Sequence, residues 1–252
     1  MITDVNFYLL AITALLIVGI SKGGFGGGLG MIAVPMLSLV ISPIAAAAIL
    51  LPVLCLMDLF ALRGFKGKFD FSVLKPILPA ALVGVIVGAL SFHLMSERSI
   101  KFMISVLTIL FCLDAVVKVI LKRKPEPRAP NNMRAAIWSS LSGFTSFSVH
   151  AGGPALNMYL LPLRLNKSVY ASTTVVFFTF INYVKLIPYI SLGLFDSQIL
   201  TTALVLAPIA PLGIWLGIYL HNRLDEKIFY QLCYGFLFIT GLKLGYDALT
   251  MA

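Results

Sequence analysis

Charged residues are scarce in this sequence. Of its 252 residues only 12% are Asp, Glu, Lys or Arg, whereas soluble domains carry roughly 25%. Hydrophobic residues make up 60% of the chain and the mean hydropathy is +0.99. Apolar stretches long enough to cross a bilayer recur from end to end, which excludes an ordinary soluble domain and favours an integral membrane protein.

Acidic residues and cysteines are the next scarcities. The chain has 10 acidic and 19 basic residues, giving a net charge of +9. We interpret the bases as holding cytoplasmic loops in place, because nucleic-acid binding would need a soluble basic face. The three cysteines, Cys55, Cys112 and Cys233, are isolated in apolar runs, so neither a disulfide framework nor a metal site is indicated. The N-terminus lacks a basic n-region and is interpreted as a first membrane segment, not a cleaved signal peptide.

Alternating Val, Thr and Tyr patterns are also missing, so the spans are expected to be helices and not barrel strands. The predicted fold is all-α, a polytopic transmembrane helix bundle. Six predicted helices are of spanning length, at 43–62, 73–92, 99–121, 168–190, 198–220 and 228–248. Four, at 5–20, 28–41, 135–147 and 152–163, are short, with roughly 12 to 16 residues where about 20 are needed.

The short segments form two adjacent pairs, each divided by a glycine-bearing break, SKGGFGGG at 21–28 and SFSVHAGG at 146–153. A short pair followed by three long helices therefore occurs twice, which indicates an internal repeat. The register is steady, since 126 residues separate Asp70 from Asp196 and 129 separate Gly84 from Gly213. The predicted organisation is a first repeat at 1–121, a basic cytoplasmic linker at 122–134 and a second repeat at 135–252.

The direction of the second repeat depends on the short pairs. If each pair is a hairpin, the two halves are inverted; if each is one broken crossing, the halves are parallel. Residues 5–41 are about 37 residues, too many for one tilted crossing. The bases of loop 63–70 and of the linker are placed inside, and loop 191–197, with no base, outside. We therefore expect inverted repeats.

The first break is the stronger candidate for a binding site. Its adjacent glycines disfavour helix, and a non-helical segment in the membrane should be buried or line a cavity. Bare amides at the start of the next helix suit an anion, and Lys22 would supply charge. The alternatives are close helix packing through the glycines and a snorkelling lysine. The substrate-binding candidates here are Ser21, Lys22, Gly23, Gly24, Gly26, Gly27 and Gly28.

The second break offers hydroxyls and a histidine in place of the lysine. His150 could donate to an anion or carry a proton, although a lone histidine is more often structural. In inverted repeats the two breaks would approach the midplane from opposite sides and share one site. The candidates are Ser148, His150, Gly152, Gly153 and Asn157.

Further polar residues lie in the long helices. Asp58 and Lys185 occupy matched helices, but inverted topology places them on opposite sides of the centre, so a direct contact would contradict the inversion. Asn182 and Tyr183 either line the cavity or pack in the core. The G-x-x-x-G motifs at 84–88 and 213–217 are expected to be helix contacts.

The sequences GGFGGGLGMIAVP at 23–35 and GGPALNMYLLP at 152–162, together with the duplicated helical module, resemble the sulfite exporter TauE/SafE family of membrane permeases. The resemblance covers nearly the whole chain. It implies transport of sulfite or of organosulfonates such as sulfoacetate across a bacterial inner membrane. The second half departs from the pattern, with Pro154-Ala155 where the first has Gly27-Gly28.

The expected function is a secondary transporter, an exporter working by alternating access. A passive anion channel is the first alternative. An intramembrane enzyme is disfavoured, because no H-E-x-x-H motif occurs and acidic residues are sparse within the spans. We expect no catalytic residue, metal or cofactor. The expected partners are a small anion and membrane lipid, without nucleic acid, and a homo-oligomer is left open.

Overall fold

The computed structural model describes residues 2–24, 29–64, 69–120, 127–220 and 226–250, without the side chains of 93, 118–120, 167, 226–234 and 236. No strand occurs in these ranges, so the predicted all-α fold is confirmed. Six stretches within them are long and apolar enough to cross a membrane: Val5–Gly24, Pro43–Gly64, Phe71–Ser91, Glu97–Val117, Ser168–Ser191 and Ser197–Leu220. The chain is a multi-pass membrane protein.

Eleven α-helices make up the described chain. The first half contains α1 (Val5–Gly24), α2 (Ala33–Leu37), α3 (Pro43–Gly64), α4 (Phe71–Ser91) and α5 (Glu97–Ile120). The second contains α6 (Asn132–Val149), α7 (Gly153–Leu160), α8 (Lys167–Ser191), α9 (Ser197–Leu206), α10 (Ile209–Leu220) and α11 (Glu226–Thr250). Short 3₁₀ turns occupy Gly30–Ile32, Phe92–Leu94 and Leu161–Leu163.

The first helix is longer than predicted, and the predicted start of the break at residue 21 is wrong. Helix α1 has 20 residues, about 30 Å at 1.5 Å per residue. It continues through Gly23 and Gly24 because both pack against the backbone of α10, where a Cβ would clash with Ile214 and Gly217. This close packing outweighs the low helix propensity of glycine. Its counterpart α6 has 18 residues, so only the second member of each pair is short.

The predicted helix at 198–220 is interrupted. Helix α9 ends at Leu206 and α10 begins at Ile209, with Pro208 between them. Proline has no N–H to donate and its ring clashes with the preceding turn. The chain passes the interruption through tight turns in which Ala207 N donates to Leu204 O and Ala210 N donates to Ala207 O.

Matched aspartates cap matched helices in the two halves. Asp70 accepts a hydrogen bond from Ser72 N at 2.9 Å at the start of α4, and Asp196 accepts one from Ile199 N at 2.7 Å at the start of α9. A carboxylate at this position satisfies amides that have no partner within the helix. Both aspartates that the predicted repeat aligns are therefore helix N-caps.

The two halves pack through equivalent pairs of helices. Helix α1 lies along α10 and α6 lies along α4, while α3 packs on α8 and α5 on α11. A Cβ on Gly19 would lie 2.6 Å from Gly213 Cα, and a Cβ on Gly84 would lie 2.8 Å from Phe144 N. Both G-x-x-x-G motifs are therefore helix contacts, as predicted.

The order of contacts gives the relative directions of the paired helices. In α5 and α11 the numbering runs oppositely, since Gly241 faces Thr108 and Gly245 faces Ser105. The same holds for α3 and α8. Asp58 of α3 contacts Asn182 of α8. Ala47, which comes earlier in α3, contacts His150, and His150 contacts Lys185, which comes later in α8. In these two pairs the helices therefore run antiparallel.

The chain doubles back after α1 and again after α6. Helix α1 ends beside Asp58, which is close to the end of α3. The end of α6 lies beside Tyr189 at the end of α8, whose hydroxyl donates to Phe147 O at 2.8 Å. The chain begins α3 at Pro43 and α8 at Lys167, the opposite ends of these two helices. Large apolar side chains such as Leu90 (75% exposed) cover the outer surface, where lipid is the surrounding solvent.

Candidate functional site

Residues of both breaks border one narrow cavity. The volume open to the centre of a water-sized sphere is about 20 Å³, which is enough room for about one water molecule. The lining residues come from both breaks and from the two long helices α3 and α8: Lys22, Gly30, Leu54, Ser146, His150, Gly153, Phe178 and Asn182.

The lining residue Lys22 forms a buried ion pair. Lys22 Nζ lies 2.5 Å from Asp58 Oδ1, and Asn182 Nδ2 donates to Asp58 Oδ2 at 2.6 Å. Asp58 is fully buried and Lys22 is 7% exposed. Both carboxylate oxygens thus have partners, as a buried charge requires.

A second buried lysine lies beside the lining residues Ser146 and His150, without a carboxylate partner. Lys185 is fully buried, and its Nζ lies 3.0 Å from Ser146 O, 3.1 Å from Ser146 Oγ and 2.8 Å from His150 Nδ1. No acidic oxygen of the described residues lies within 4.0 Å of it. The centre of the bundle therefore holds two lysines and one carboxylate. A low-dielectric cavity with this excess favours a negatively charged occupant.

His150 connects the two sides of the site. It follows the last residue of α6 with a left-handed φ of 54°, a region that His visits more readily than most residues. Its Nε2 lies 2.9 Å from Ala47 O. A carbonyl only accepts, so Nε2 carries the proton and donates it. Since Nδ1 faces Lys185, His150 has no free N–H for an anion in this arrangement.

The residues predicted to bind substrate in the first break have different positions in the structure. Lys22 lines the cavity. Ser21 Oγ accepts from Leu29 N at 3.2 Å and so bridges the break, while Gly23 and Gly24 contact α10, which is the packing alternative. Gly26, Gly27 and Gly28 lie outside the described residues.

In the second break Ser146, His150 and Gly153 line the cavity, whereas the candidates Ser148, Gly152 and Asn157 do not. Ser148 Oγ donates to Phe144 O at 3.0 Å. Gly152 O accepts from Ser142 Oγ at 2.8 Å, and Asn157 Oδ1 accepts from Tyr170 OH at 2.6 Å. These three residues hold the turn and the return helix together.

Several residues that matter most were given little weight by the sequence interpretation. Asp58, Ser146 and Lys185 were not among the site candidates, although an ionisable residue inside a span is a functional signal in itself. Of the two polar residues expected either to line the cavity or to pack in the core, Asn182 lines the cavity. Tyr183 does not line it and is 39% exposed. The contacts of Asp58 are with Lys22 and Asn182, so the Asp58–Lys185 contact that would contradict inversion is not formed.

A comparison with family models decides which family these features belong to. The model "Sulfite exporter TauE/SafE" matches residues 11–244. The chain belongs to the TauE/SafE family. TauE/SafE proteins are membrane permeases for sulfite and related sulfur anions, in keeping with the excess of buried positive charge. Neither a curated protein nor a solved structure matches the chain. In the part of this TauE/SafE chain that the structure describes, no group of three or more His, Cys, Asp or Glu could hold a metal ion.

The ion pair predicts an asymmetric effect of substitution. Lys22→Met leaves Asp58 buried without its cation, which should lower the free energy of unfolding by about 3–5 kcal/mol. Lys22→Met combined with Asp58→Asn removes both charges and should be less destabilised than the single variant. Melting temperatures of the purified proteins in one detergent check this order. A double variant less stable than Lys22→Met would contradict the pairing, and Lys75→Met, at an exposed lysine, serves as the control.

Proposed function

We propose that this protein is a secondary transporter that exports sulfite or small organosulfonates from a bacterial cell across its inner membrane by alternating access. The observation that carries the proposal is a second buried lysine beside the shared cavity. Lys22 is paired with Asp58, whereas Lys185, next to the lining residues Ser146 and His150, has no carboxylate, so its protonated form is left without a counter-charge. A transported anion would balance this charge. Sequence and site offer no constellation for catalysis, so the proposal includes no enzymatic step.

Lys22 and Asn182 are proposed to meet the anion. An ammonium has three N–H donors and a carboxamide has two, and each residue uses one on Asp58. Two donors on Lys22 and one on Asn182 therefore have no partner among the described residues. Gly153 adds the amide end of α7, where first-turn N–H groups lack helical acceptors. Several converging donors suit the oxygens of a sulfite or sulfonate group.

Alternating access is proposed to follow from two inverted repeats, 1–121 and 135–252, joined by the basic linker 122–134. Three observations support inversion: α3 and α8 run antiparallel, α5 and α11 do so as well, and the first helix of each half packs on the other half through matched glycines. The breaks then enter from opposite sides and end at one cavity. Rocking one half against the other would expose that cavity to each side in turn.

Transport assays on purified protein in liposomes test the function. We expect saturable uptake of sulfite and methanesulfonate, and faster uptake of labelled anion when unlabelled anion is loaded inside, because an alternating carrier exchanges its substrate. The double variant Lys22→Met with Asp58→Asn should lose at least about tenfold of this rate, equivalent to about 1.4 kcal/mol, since it keeps the charge balance but removes donors. Lys75→Met should transport like wild type.

The outcomes separate the alternatives. Uptake that rises without saturation and shows no counterflow would assign the protein as a passive channel. Movement of none of the sulfur anions would remove the substrate assignment. A double variant as active as wild type would remove Lys22 from the binding site while leaving the transport function in place.

Single cysteines test the inversion in a background with Cys55, Cys112 and Cys233 replaced by serine or alanine. We expect Ser197→Cys, at the start of α9, to react with an impermeant maleimide added outside intact cells. Ala129→Cys, in the exposed linker, should react only after the membrane is opened, because basic loops stay inside. Labelling of both positions from the same side would contradict the inverted arrangement.

A further inference from the structure

Lys185 is surrounded by acceptors that match a protonated amine. Its Nζ lies within 3.1 Å of Ser146 O, Ser146 Oγ and His150 Nδ1. These are three acceptors for the three hydrogens of an ammonium. Since His150 Nε2–H is committed to Ala47 O, a neutral His150 presents its Nδ1 lone pair to the lysine. The ammonium form of Lys185 is thus fully hydrogen-bonded.

The same surroundings also accommodate the neutral amine. A neutral amine has a lone pair that needs a donor, and neither Ser146 O nor the unprotonated His150 Nδ1 can supply one. The Ser146 hydroxyl can, by turning its O–H toward Nζ over the 3.1 Å that separates them. One hydroxyl rotation is therefore enough to satisfy Lys185 in either protonation state.

The charges near Lys185 decide whether its ammonium or its neutral amine form is favoured. A lysine ammonium inside a membrane protein is costly without a counter-charge. His150 from α6 contacts Lys185 directly, and Tyr189 from its own helix stacks on His150. The titratable groups close enough for their charge to act on Lys185 are Cys55 and Asp58 from α3 and Lys22 from α1. Helix α4, which also packs on α8, contributes only apolar residues and glycine to the interior. Because Asp58 is paired with Lys22, Lys185 has no counter-charge of its own.

We propose that the cluster of Lys185, His150 and Ser146 binds one proton together with each transported anion, so that the protein is a proton–anion cotransporter. The inference rests on the proposed transport function. When an anion enters the cavity, which Ser146 and His150 line, Lys185 Nζ takes a proton from water on that side. When the anion leaves on the other side, the proton leaves to water there. No other bond forms or breaks, and one negative and one positive charge move together. Because an acid-outside gradient would favour uptake in such a cotransporter, net export runs down the concentration gradient of the anion itself, with the proton accompanying it.

A row of buried hydroxyls lies along α6 toward this cluster. Ser139, Ser142 and Ser146 are spaced by three and four residues, so they share one helix face, and each is at most 2% exposed. Ser139 Oγ has no hydrogen-bond partner within the described structure. A buried unsatisfied hydroxyl calls for a water molecule, and water beside Ser139 would connect the row to the beginning of α6.

The test uses wild-type protein in liposomes with the membrane potential clamped at zero by potassium and valinomycin. Methanesulfonate is the probe, because it is a strong acid that stays ionised on both sides. An outside pH lower by one unit should drive its accumulation inside by about tenfold, the equivalent of one pH unit. Lys185→Arg keeps a permanent cation, so its accumulation ratio should fall to about one. The ratio is an equilibrium quantity, so slower transport by a variant does not change it.

Ser146→Ala is the second variant, because it keeps Lys185 and His150 but removes the only donor for the neutral amine. We expect its accumulation ratio to fall in the same way, while Lys75→Arg should match wild type. Protonation of Lys185 on anion binding can also be measured without transport, as proton uptake when methanesulfonate is added to weakly buffered protein in detergent. About one proton per protein is expected for wild type and none for Lys185→Arg.

Different results overturn different parts. Wild type that shows counterflow but no accumulation along the pH gradient, or that binds the anion without taking up a proton, overturns the cotransport proposal alone. Lys185→Arg and Ser146→Ala variants that both accumulate the probe like wild type overturn the assignment to this cluster. Wild type that moves no sulfur anion at all overturns the proposed transport function, and the proton site with it.

Discussion

Burial of charge in a low-dielectric interior is the constraint on which the centre of this protein depends. A charged side chain among transmembrane helices requires an opposite charge or several hydrogen bonds. Lys22 meets the requirement with Asp58, whose second oxygen is held by Asn182. Lys185 meets it with hydrogen bonds alone. The centre is thus electrostatically incomplete, and the role of an anion permease follows from that incompleteness.

Glycine makes this arrangement sterically accessible. Because Gly19 meets Gly213 and Gly84 meets the α6 backbone without side chains between them, α1 packs closely along α10 and α6 packs closely along α4. Their ends then reach α3 and α8 and deliver Lys22 and His150 to one cavity. Small residues at helix crossings are the usual way to bring membrane helices this close. The glycines of α1 act mainly through packing, and the turn at His150 directs the second break.

The sequence predicted the architecture better than the site. Hydropathy and residue composition were enough to anticipate an all-helical membrane bundle, since both depend on local pattern. Helix ends at Gly23 and Gly24 were missed because tertiary packing decided them. The pairing of Lys22 with Asp58 joins residues 36 positions apart, and that of Asp58 with Asn182 joins residues 124 apart. No local pattern encodes such contacts, and only the cost of isolated charge in a span indicated that partners must exist.

The location of a bound anion is the most direct test of this account. Selenite has the charge and shape of sulfite, and its selenium can be located by anomalous scattering in crystals of the purified protein. The account predicts one selenium peak in the shared cavity, with selenite oxygens about 3 Å from Lys22 Nζ and Asn182 Nδ2. A peak elsewhere in the protein while this cavity stays empty at saturating selenite would contradict it.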